Sequence, residues 1–223
     1  MDLTFLNSLQ MKASQRIENQ LRREGIQYIA GVDESGVGPL AGPVVCAAVI
    51  LPEKFRTNGI NDCKVILPEK RERLYEYIIR KALDYKIVSV HQSIIDKINI
   101  YQASLVGMRI ALENLEIQPQ VILVDGNKKI PDTDIPQQSL IKGDLRSTCI
   151  AAASILAKVT RDRIMDLIDH HCPQYKFKQN KGYATRFHRE AIMKYGASVY
   201  HRRSFRMDYT EYIQESLILE EKQ

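Results

Sequence analysis

The chain has 223 residues, of which 44% are hydrophobic and 26% charged, and these values exclude a collagen, a coiled-coil rod and a low-complexity disordered chain. The longest apolar runs, 44–51 and 149–157, are much shorter than the roughly 20 residues that a membrane-spanning helix needs. The net charge is +5, a modest basic excess, and no basic stretch leads into an apolar run at the N-terminus. We therefore expect a cytoplasmic protein without a membrane partner, whose four cysteines are reduced.

The predicted elements begin with two strands and then alternate between helices and strands. Strands are predicted at 28–33, 44–51, 86–91, 121–124 and 139–141, and helices at 6–25, 68–85, 100–115, 147–170, 186–195 and 208–219. The short link between the first two strands suggests a hairpin, so the sheet is expected to be mixed. The predicted fold class is therefore α/β, with helices on the faces of the sheet.

The composition changes near residue 173. Between residues 171 and 205, eight Lys or Arg residues and seven aromatic residues accompany a single acid, Glu190. Cations suit phosphates and rings suit bases or sugars, so this pattern favours a nucleic-acid surface. A solvated helix face whose rings pack into the core explains the pattern equally well. We expect a boundary between a domain at 1–172 and a basic helical extension at 173–223.

Carboxylates follow two of the predicted strands. Asp33 and Glu34 end the first strand and lead into a glycine-rich loop, and Asp125 ends the strand at 121–124. Asp144 precedes the longest predicted helix, where helix capping is the ordinary explanation. Strand ends in an α/β sheet face one crevice, and carboxylates gathered there repel each other unless divalent cations lie among them. Such oxygen ligands favour Mg²⁺ or Mn²⁺ over zinc. The glycine loop is not followed by Lys-Ser/Thr, so a P-loop is not expected.

These motifs, taken in order, resemble those of bacterial ribonuclease HII, and the similarity extends from about residue 29 to residue 205. The segments that carry the resemblance are 31–43, 61–64, 124–126, 143–144, 150–162, 181–185 and 201–205. The resemblance implies an RNase H-like fold, with a five-stranded mixed sheet flanked by helices and a small C-terminal helical extension. It also implies an endonuclease that cuts the RNA strand of RNA·DNA hybrids and cuts 5′ of ribonucleotides embedded in duplex DNA.

The family's four acidic positions fall on Asp33, Glu34, Asp125 and Asp144. The resemblance implies that these four residues are both catalytic and metal-binding, and that they hold two divalent cations, Mn²⁺ or Mg²⁺. The expected products carry 5′-phosphate and 3′-hydroxyl ends. Asp162 is a candidate for a fifth, outer acid of the site, but we expect it instead to form an ion pair on its helix.

Substrate recognition in the family needs a sensor for the ribose 2′-hydroxyl. The resemblance places the backbone of Gly36, Val37 and Gly38 against that hydroxyl, and the ring of Tyr183 on the neighbouring sugar. Four basic side chains are expected to contact phosphates: Lys64, Lys181, Arg202 and Arg203. Core packing is the alternative role for Tyr183, and surface solvation is the alternative for Lys64.

The chain departs from the family pattern mainly on the substrate side. Ser35 stands where Ala is usual, Val37 replaces Arg, Cys63 replaces Ser, and residues 65–66 replace Lys-Leu. Val37 matters most, because Val cannot make the charge-assisted hydrogen bonds that an Arg makes to phosphate. We therefore expect intact metal chemistry with weaker recognition of RNA–DNA junctions.

Two alternatives remain open, a hybrid-binding protein with negligible turnover and RNA binding by residues 171–223 alone. The last residues, 215–223, lack the paired aromatics of a clamp-binding peptide. The chain is expected to be a monomer.

Overall fold

The computed structural model describes residues 13–57, 59–60 and 66–207. Its helices, in chain order, are α1 (Arg16–Arg23), α2 (Pro68–Lys81), α3 (Gln92–Glu113), α4 (Thr148–His171), α5 (Phe177–Asn180) and α6 (Arg186–Tyr195). Its strands are β1 (Ile29–Ser35), β2 (Val44–Ile50), β3 (Asp84–Val90), β4 (Val121–Asp125) and β5 (Gln137–Leu140). Short 3₁₀ turns at Gly143–Leu145 and Pro173–Tyr175 precede α4 and α5.

The five strands form one mixed sheet, as predicted, and their order is β3-β2-β1-β4-β5. Strand β2 runs antiparallel to both β1 and β3, whereas β1, β4 and β5 run parallel to one another. In the parallel register of β1 and β4, Val32 pairs with Val124. The next residue on each strand is an aspartate, so this register places Asp33 beside Asp125 at the carboxyl ends of the two central strands.

Helices cover both faces of the sheet. One apolar cluster joins alternate residues of β2, such as Ala47 and Val49, to α2 and α4, and another joins Ala48 and Ile50 to α3. Helix α4 lies very close to β1, because a Cβ atom at Gly31 would be 2.2 Å from the carbonyl carbon of Cys149. Glycine at residue 31 therefore sets the distance at which α4 presents its side chains to the sheet.

The structure corrects the predicted bounds of the first three helices. Within the described part of the first predicted helix, α1 spans only Arg16–Arg23. Helix α2 ends at Lys81 rather than at residue 85, because Ala82 is extended and β3 begins at Asp84. Helix α3 begins at Gln92 rather than at residue 100, and Asn99 interrupts it with a φ of 66°. The helix predicted from residue 100 corresponds to the part of α3 that follows this kink.

The residues after 173 pack on α4 through their own apolar cluster, in which Tyr175, Phe177 and Ile192 contact Met165 and Leu40. Helix α6 has the predicted bounds. The predicted helix at 208–219 lies outside the described residues, as do residues 6–12 of the predicted first helix. None of the described helices combines the length and the apolar character that a membrane crossing requires.

Candidate active site

The four carboxylates predicted from the sequence line one pocket of about 270 Å³. Asp33 and Glu34 reach it from the end of β1, Asp125 from the end of β4, and Asp144 from the 3₁₀ turn before α4. The glycine loop after β1 and the ring of Tyr183 form the facing wall of the same pocket. The chain thus brings together acids that are up to 111 residues apart in sequence (144 − 33).

Asp33 is the most buried of these acids, with 5% of its surface exposed. Its Oδ1 accepts a hydrogen bond of 2.7 Å from the backbone N–H of Glu34, and its carboxylate also accepts one from the hydroxyl of Ser154 on α4. Burial, followed by the negative charges of Glu34 and Asp125, raises the pKa of Asp33 well above its usual value. The pocket therefore concentrates negative charge that a bound cation would stabilise.

Glu34 faces the other side of the sheet and forms an ion pair with Lys128, which the sequence analysis missed. The Lys128 ammonium also lies 3.4 Å from the hydroxyl oxygen of Ser104 on α3 and 5.9 Å from the ring centroid of Tyr101. Lys128 follows Asp125 by only three residues, and that closeness to a predicted site acid was the signal that could have identified it.

Asp125 and the turn that carries Asp144 are held together by the backbone. The Asp125 Oδ1 atom accepts a 2.7 Å hydrogen bond from the N–H of Gly143. A Cβ atom at Gly143 would lie 2.6 Å from the Cδ1 of Ile150, so glycine permits this close approach. Helix capping does not explain Asp144, because Ser147 is the N-cap and accepts a hydrogen bond from the N–H of Ile150.

The donor set is chemically suited to hard divalent cations, since all four side chains offer carboxylate oxygens. Within the described part of the chain, no three Asp, Glu, His or Cys side chains already meet the spacing of a bound metal ion. The carboxylates share a pocket but are not drawn together, and Glu34 is compensated by Lys128 instead. A cation that entered the pocket would have to bring these oxygens closer.

The glycine loop and Tyr183 lie next to each other in the lining of the pocket. A Cβ atom at Gly38 would meet only the Cε1 of Tyr183, at 3.8 Å, and the Tyr183 side chain is 48% exposed. The N–H of Leu40 donates a 2.8 Å hydrogen bond to the carbonyl of Gly182, which ties the two segments together. Tyr183 therefore lies on the surface of the pocket and not in the core.

The basic residues predicted to contact phosphate are placed differently from one another. Lys181 is paired with Asp166 on α4, and the side chain of Arg203 is exposed. Lys64 lies outside the described residues. Arg202 corrects the prediction of a phosphate contact, because it is completely buried and its guanidinium donates only to backbone carbonyls within the chain. A duplex on the surface cannot reach that group.

Asp162 forms the ion pair that was expected on its helix. Its carboxylate lies 2.6 Å from the Lys158 ammonium and 3.5 Å from the guanidinium of Arg71. Lys158 lines the pocket, so this pair places a positive charge at the pocket wall.

Comparisons with known proteins identify the family of this chain. The sequence model of the family described as Ribonuclease HII matches residues 30–210. The Ribonuclease HII of Caldicellulosiruptor saccharolyticus is 47% identical over 189 residues, which cover 85% of this chain and 92% of that protein.

Solved structures show the same fold. The ribonuclease H2 of Pyrococcus horikoshii OT3 superposes with a TM-score of 0.70 at 28% identity, and the match covers 86% of this chain and 99% of that one. Bst-RNase HIII in complex with Mn²⁺ has a TM-score of 0.63 at 17% identity, covering 100% of this chain and 75% of that one, which is a likeness of fold alone. The five-stranded mixed sheet is thus an RNase H-like fold, as predicted. The family match and the sequence identity together show that this chain belongs to the ribonuclease HII family.

Proposed function

We propose that this chain is a metal-dependent endonuclease that hydrolyses the RNA strand of RNA·DNA hybrids and cuts 5′ of ribonucleotides embedded in duplex DNA. The observation that carries the proposal is the single pocket in which four carboxylates face the glycine loop and Tyr183. Acids beside a glycine loop and an aromatic ring in one pocket allow a scissile phosphate and its ribose to be held together. The expected products carry 5′-phosphate and 3′-hydroxyl ends.

Two divalent cations, Mn²⁺ or Mg²⁺, are proposed as the cofactors, held by Asp33, Glu34, Asp125 and Asp144. Support comes from the oxygen donors of the pocket and from the raised pKa of Asp33, which reflects burial first and then the negative charges of Glu34 and Asp125. When bound, such cations neutralise the phosphate and activate water for attack.

The chain's own residues orient this set of acids. The Ser154 hydroxyl and the N–H of Glu34 fix the carboxylate of Asp33, and the N–H of Gly143 fixes that of Asp125. Because these donors belong to α4 and to the backbone, the acid oxygens are pre-oriented before substrate binds.

Recognition of the ribose is proposed to rest on the backbone of residues 36–38 and on Tyr183. Lys64, Lys181 and Arg203 are proposed to contact phosphates, with Lys181 free to exchange Asp166 for a phosphate at the surface. Val37 exposes 38% of its surface at the pocket and its side chain offers no hydrogen bond there, which supports the hypothesis of weakened junction recognition.

The experiment is cleavage mapping on a labelled duplex that contains one ribonucleotide, with an all-DNA duplex and a uniform RNA·DNA hybrid beside it. The expected result with Mn²⁺ or Mg²⁺ is a cut on the 5′ side of the ribonucleotide, no cut in the all-DNA duplex, and 5′-phosphate ends. The matched control is Asp33→Asn, which keeps the size of the side chain and removes its charge. Binding of the hybrid without metal-dependent cleavage would refute the proposal in favour of a hybrid-binding protein.

We also propose that residues 173–223 form a nucleic-acid-binding extension of the catalytic domain at 1–172, and that the protein acts as a cytoplasmic monomer. The division is supported by the separate apolar cluster of Tyr175 and Phe177 against α4. The segment at 215–223, in which no clamp-binding peptide was seen, lies outside the described residues.

A further inference from the structure

The loop that joins β1 to β2 rests on two buried guanidinium groups. Arg161 comes from α4 and Arg202 from the segment after α6, and both side chains are 0% exposed. A buried cation is strongly destabilising unless hydrogen bonds compensate it. In this structure the compensating groups are main-chain carbonyls of one loop.

Arg202 takes four of these carbonyls. Its Nη2 donates to the oxygens of Gly36 at 2.6 Å and Pro43 at 3.1 Å. Its Nη1 donates to Val37 at 3.0 Å and its Nε to Gly42 at 2.9 Å. A planar guanidinium with five N–H groups can bind the two ends of the loop at once, and an ammonium cannot reproduce that geometry.

Arg161 and the backbone around Arg202 complete the support. Arg161 donates to the carbonyls of Pro43 at 3.0 Å and Ala41 at 3.1 Å. The N–H of Arg202 donates to the carbonyl of Leu40, and Ala41 forms a β-bridge with His201. Burial first, and then the charge of Arg161, lowers the pKa of Arg202 to about 9, so the guanidinium is still a cation at neutral pH.

Some amide groups of the same loop bond within the fold, such as that of Leu40 to the carbonyl of Gly182, but those at the start of the loop do not. Among the described residues, none accepts a hydrogen bond from the backbone N–H of Gly36, Val37 or Gly38, although all three residues line the pocket. In a trans peptide the carbonyl and the N–H point in opposite directions. When Arg202 binds the carbonyls of residues 36 and 37, it therefore turns the N–H groups of residues 37 and 38 the other way.

We infer that Arg202, assisted by Arg161, is a positioning residue for substrate specificity: it fixes the peptide planes 36–37 and 37–38 so that their N–H groups meet the ribose 2′-hydroxyl. The inference rests on the proposed function. It assigns to Arg202 a role beneath the loop in place of the phosphate contact expected from sequence. It also explains how a loop with Val at residue 37 keeps a defined backbone.

The test measures discrimination between ribose and deoxyribose, which a merely structural role would not change. Affinities for a duplex with one ribonucleotide and for the same duplex made entirely of DNA are compared by fluorescence anisotropy with Mn²⁺, in an Asp144→Asn background that slows cleavage. We expect Arg202→Lys to reduce the ratio of the two affinities by about fivefold or more, the equivalent of one lost hydrogen bond, with binding of all-DNA duplex unchanged.

The matched control is Arg163→Lys, the same substitution on the same helix as Arg161, at a side chain that is 46% exposed and paired with Glu72. It should leave both affinities as they are. A folded Arg202→Lys protein with an unchanged ratio, or with equal losses for both duplexes, overturns the inference.

If Arg202→Lys does not fold, Arg161→Lys replaces it in the test. The ratio of the affinities for the ribonucleotide duplex and for the all-DNA duplex must then fall in Arg161→Lys. Hydrogen exchange separates this inference from the proposed function. In the protein with both arginines, exchange of the 36–38 amides should be slower with the ribonucleotide duplex than with DNA. Equal exchange overturns the loop contact itself, whereas slower exchange combined with an unchanged ratio in the arginine variants overturns only the positioning role.

Discussion

Replacing Gly38 by Ala should weaken substrate binding without weakening the fold. The added Cβ atom would meet only the Cε1 of Tyr183, at 3.8 Å, which is ordinary van der Waals contact. Gly38 also lies outside the left-handed region that other glycines of the loop adopt. The substitution therefore introduces no strain, and the smaller conformational freedom of the unfolded chain should stabilise the protein by about 0.4–1 kcal/mol.

The new methyl group would occupy the gap between the loop and Tyr183, where the proposed substrate places its sugar. Forcing an extra carbon into a packed contact destabilises it by about 1–3 kcal/mol, which corresponds to a rise of roughly fivefold to 150-fold in Kd for a ribonucleotide-containing duplex. Anisotropy titrations would measure Kd, and single-turnover cleavage of the same labelled duplex would measure the rate.

Gly42→Ala is the matched control, because it changes the same loop by the same atom. Gly42 has a φ of +82°, and its Cβ would lie 2.3 Å from the sulfur of Met165. Left-handed strain of about 1–2 kcal/mol adds to that clash. We expect Tm to fall by at least about 4 °C in Gly42→Ala and not at all in Gly38→Ala. The reasoning is refuted if Gly38→Ala binds and cleaves like the parent protein, or if it loses as much Tm as the control.

Three further substitutions test the pocket. Asp33→Asn should abolish cleavage and yet raise Tm in chelator at neutral pH. Burial and neighbouring charge raise the pKa of Asp33 in the folded protein, so the metal-free fold loses stability as pH rises from the pKa of the unfolded chain through the raised pKa of the folded one. The neutral amide of Asn removes that loss. A lower Tm across that pH range would contradict this sign. Val37→Arg should raise the cleavage rate on a single-ribonucleotide duplex by about tenfold, as expected for one charged hydrogen bond. Equal rates for the variant and the parent protein, on this duplex and on a uniform hybrid, would contradict the prediction. Lys128→Met should lower Tm in chelator, because the Glu34 carboxylate loses its ion-pair partner. Millimolar Mn²⁺ should restore part of the lost Tm in a thermal melt. A Tm that does not change in chelator would show that the ion pair does not stabilise the fold.

The acids and the central strands could be predicted because their signals are local. Asp33 and Asp125 each end an apolar run just before a glycine-containing turn or loop, and parallel pairing of two such runs is enough to place the two aspartates side by side. The bounds of α6 were also predictable, since Thr185 caps the helix and Gly196 ends it.

The buried arginines and the Lys128 contact could not be predicted in this way, because they depend on distant segments. Arg202 contacts carbonyls about 160 residues earlier in the chain, and a count of charges in the basic segment treats it like its exposed neighbour Arg203. Burial of such a side chain results from tertiary packing, and neither the apolar periodicity of the sequence nor the spacing of its motifs predicts that packing. The kink at Asn99 was missed for a similar reason, since nothing in the residue types marks it.

Because side chains alternate along β1, the two consecutive acids at its end depend on different layers of the protein. Asp33 accepts a hydrogen bond from Ser154 on α4, while Glu34 forms an ion pair with Lys128, whose ammonium also contacts Ser104 on α3. Consecutive acids are thus anchored in opposite halves of the protein interior. If both acids serve the proposed reaction, we expect a substitution that disturbs only one side of the sheet to displace one acid and leave its neighbour in place.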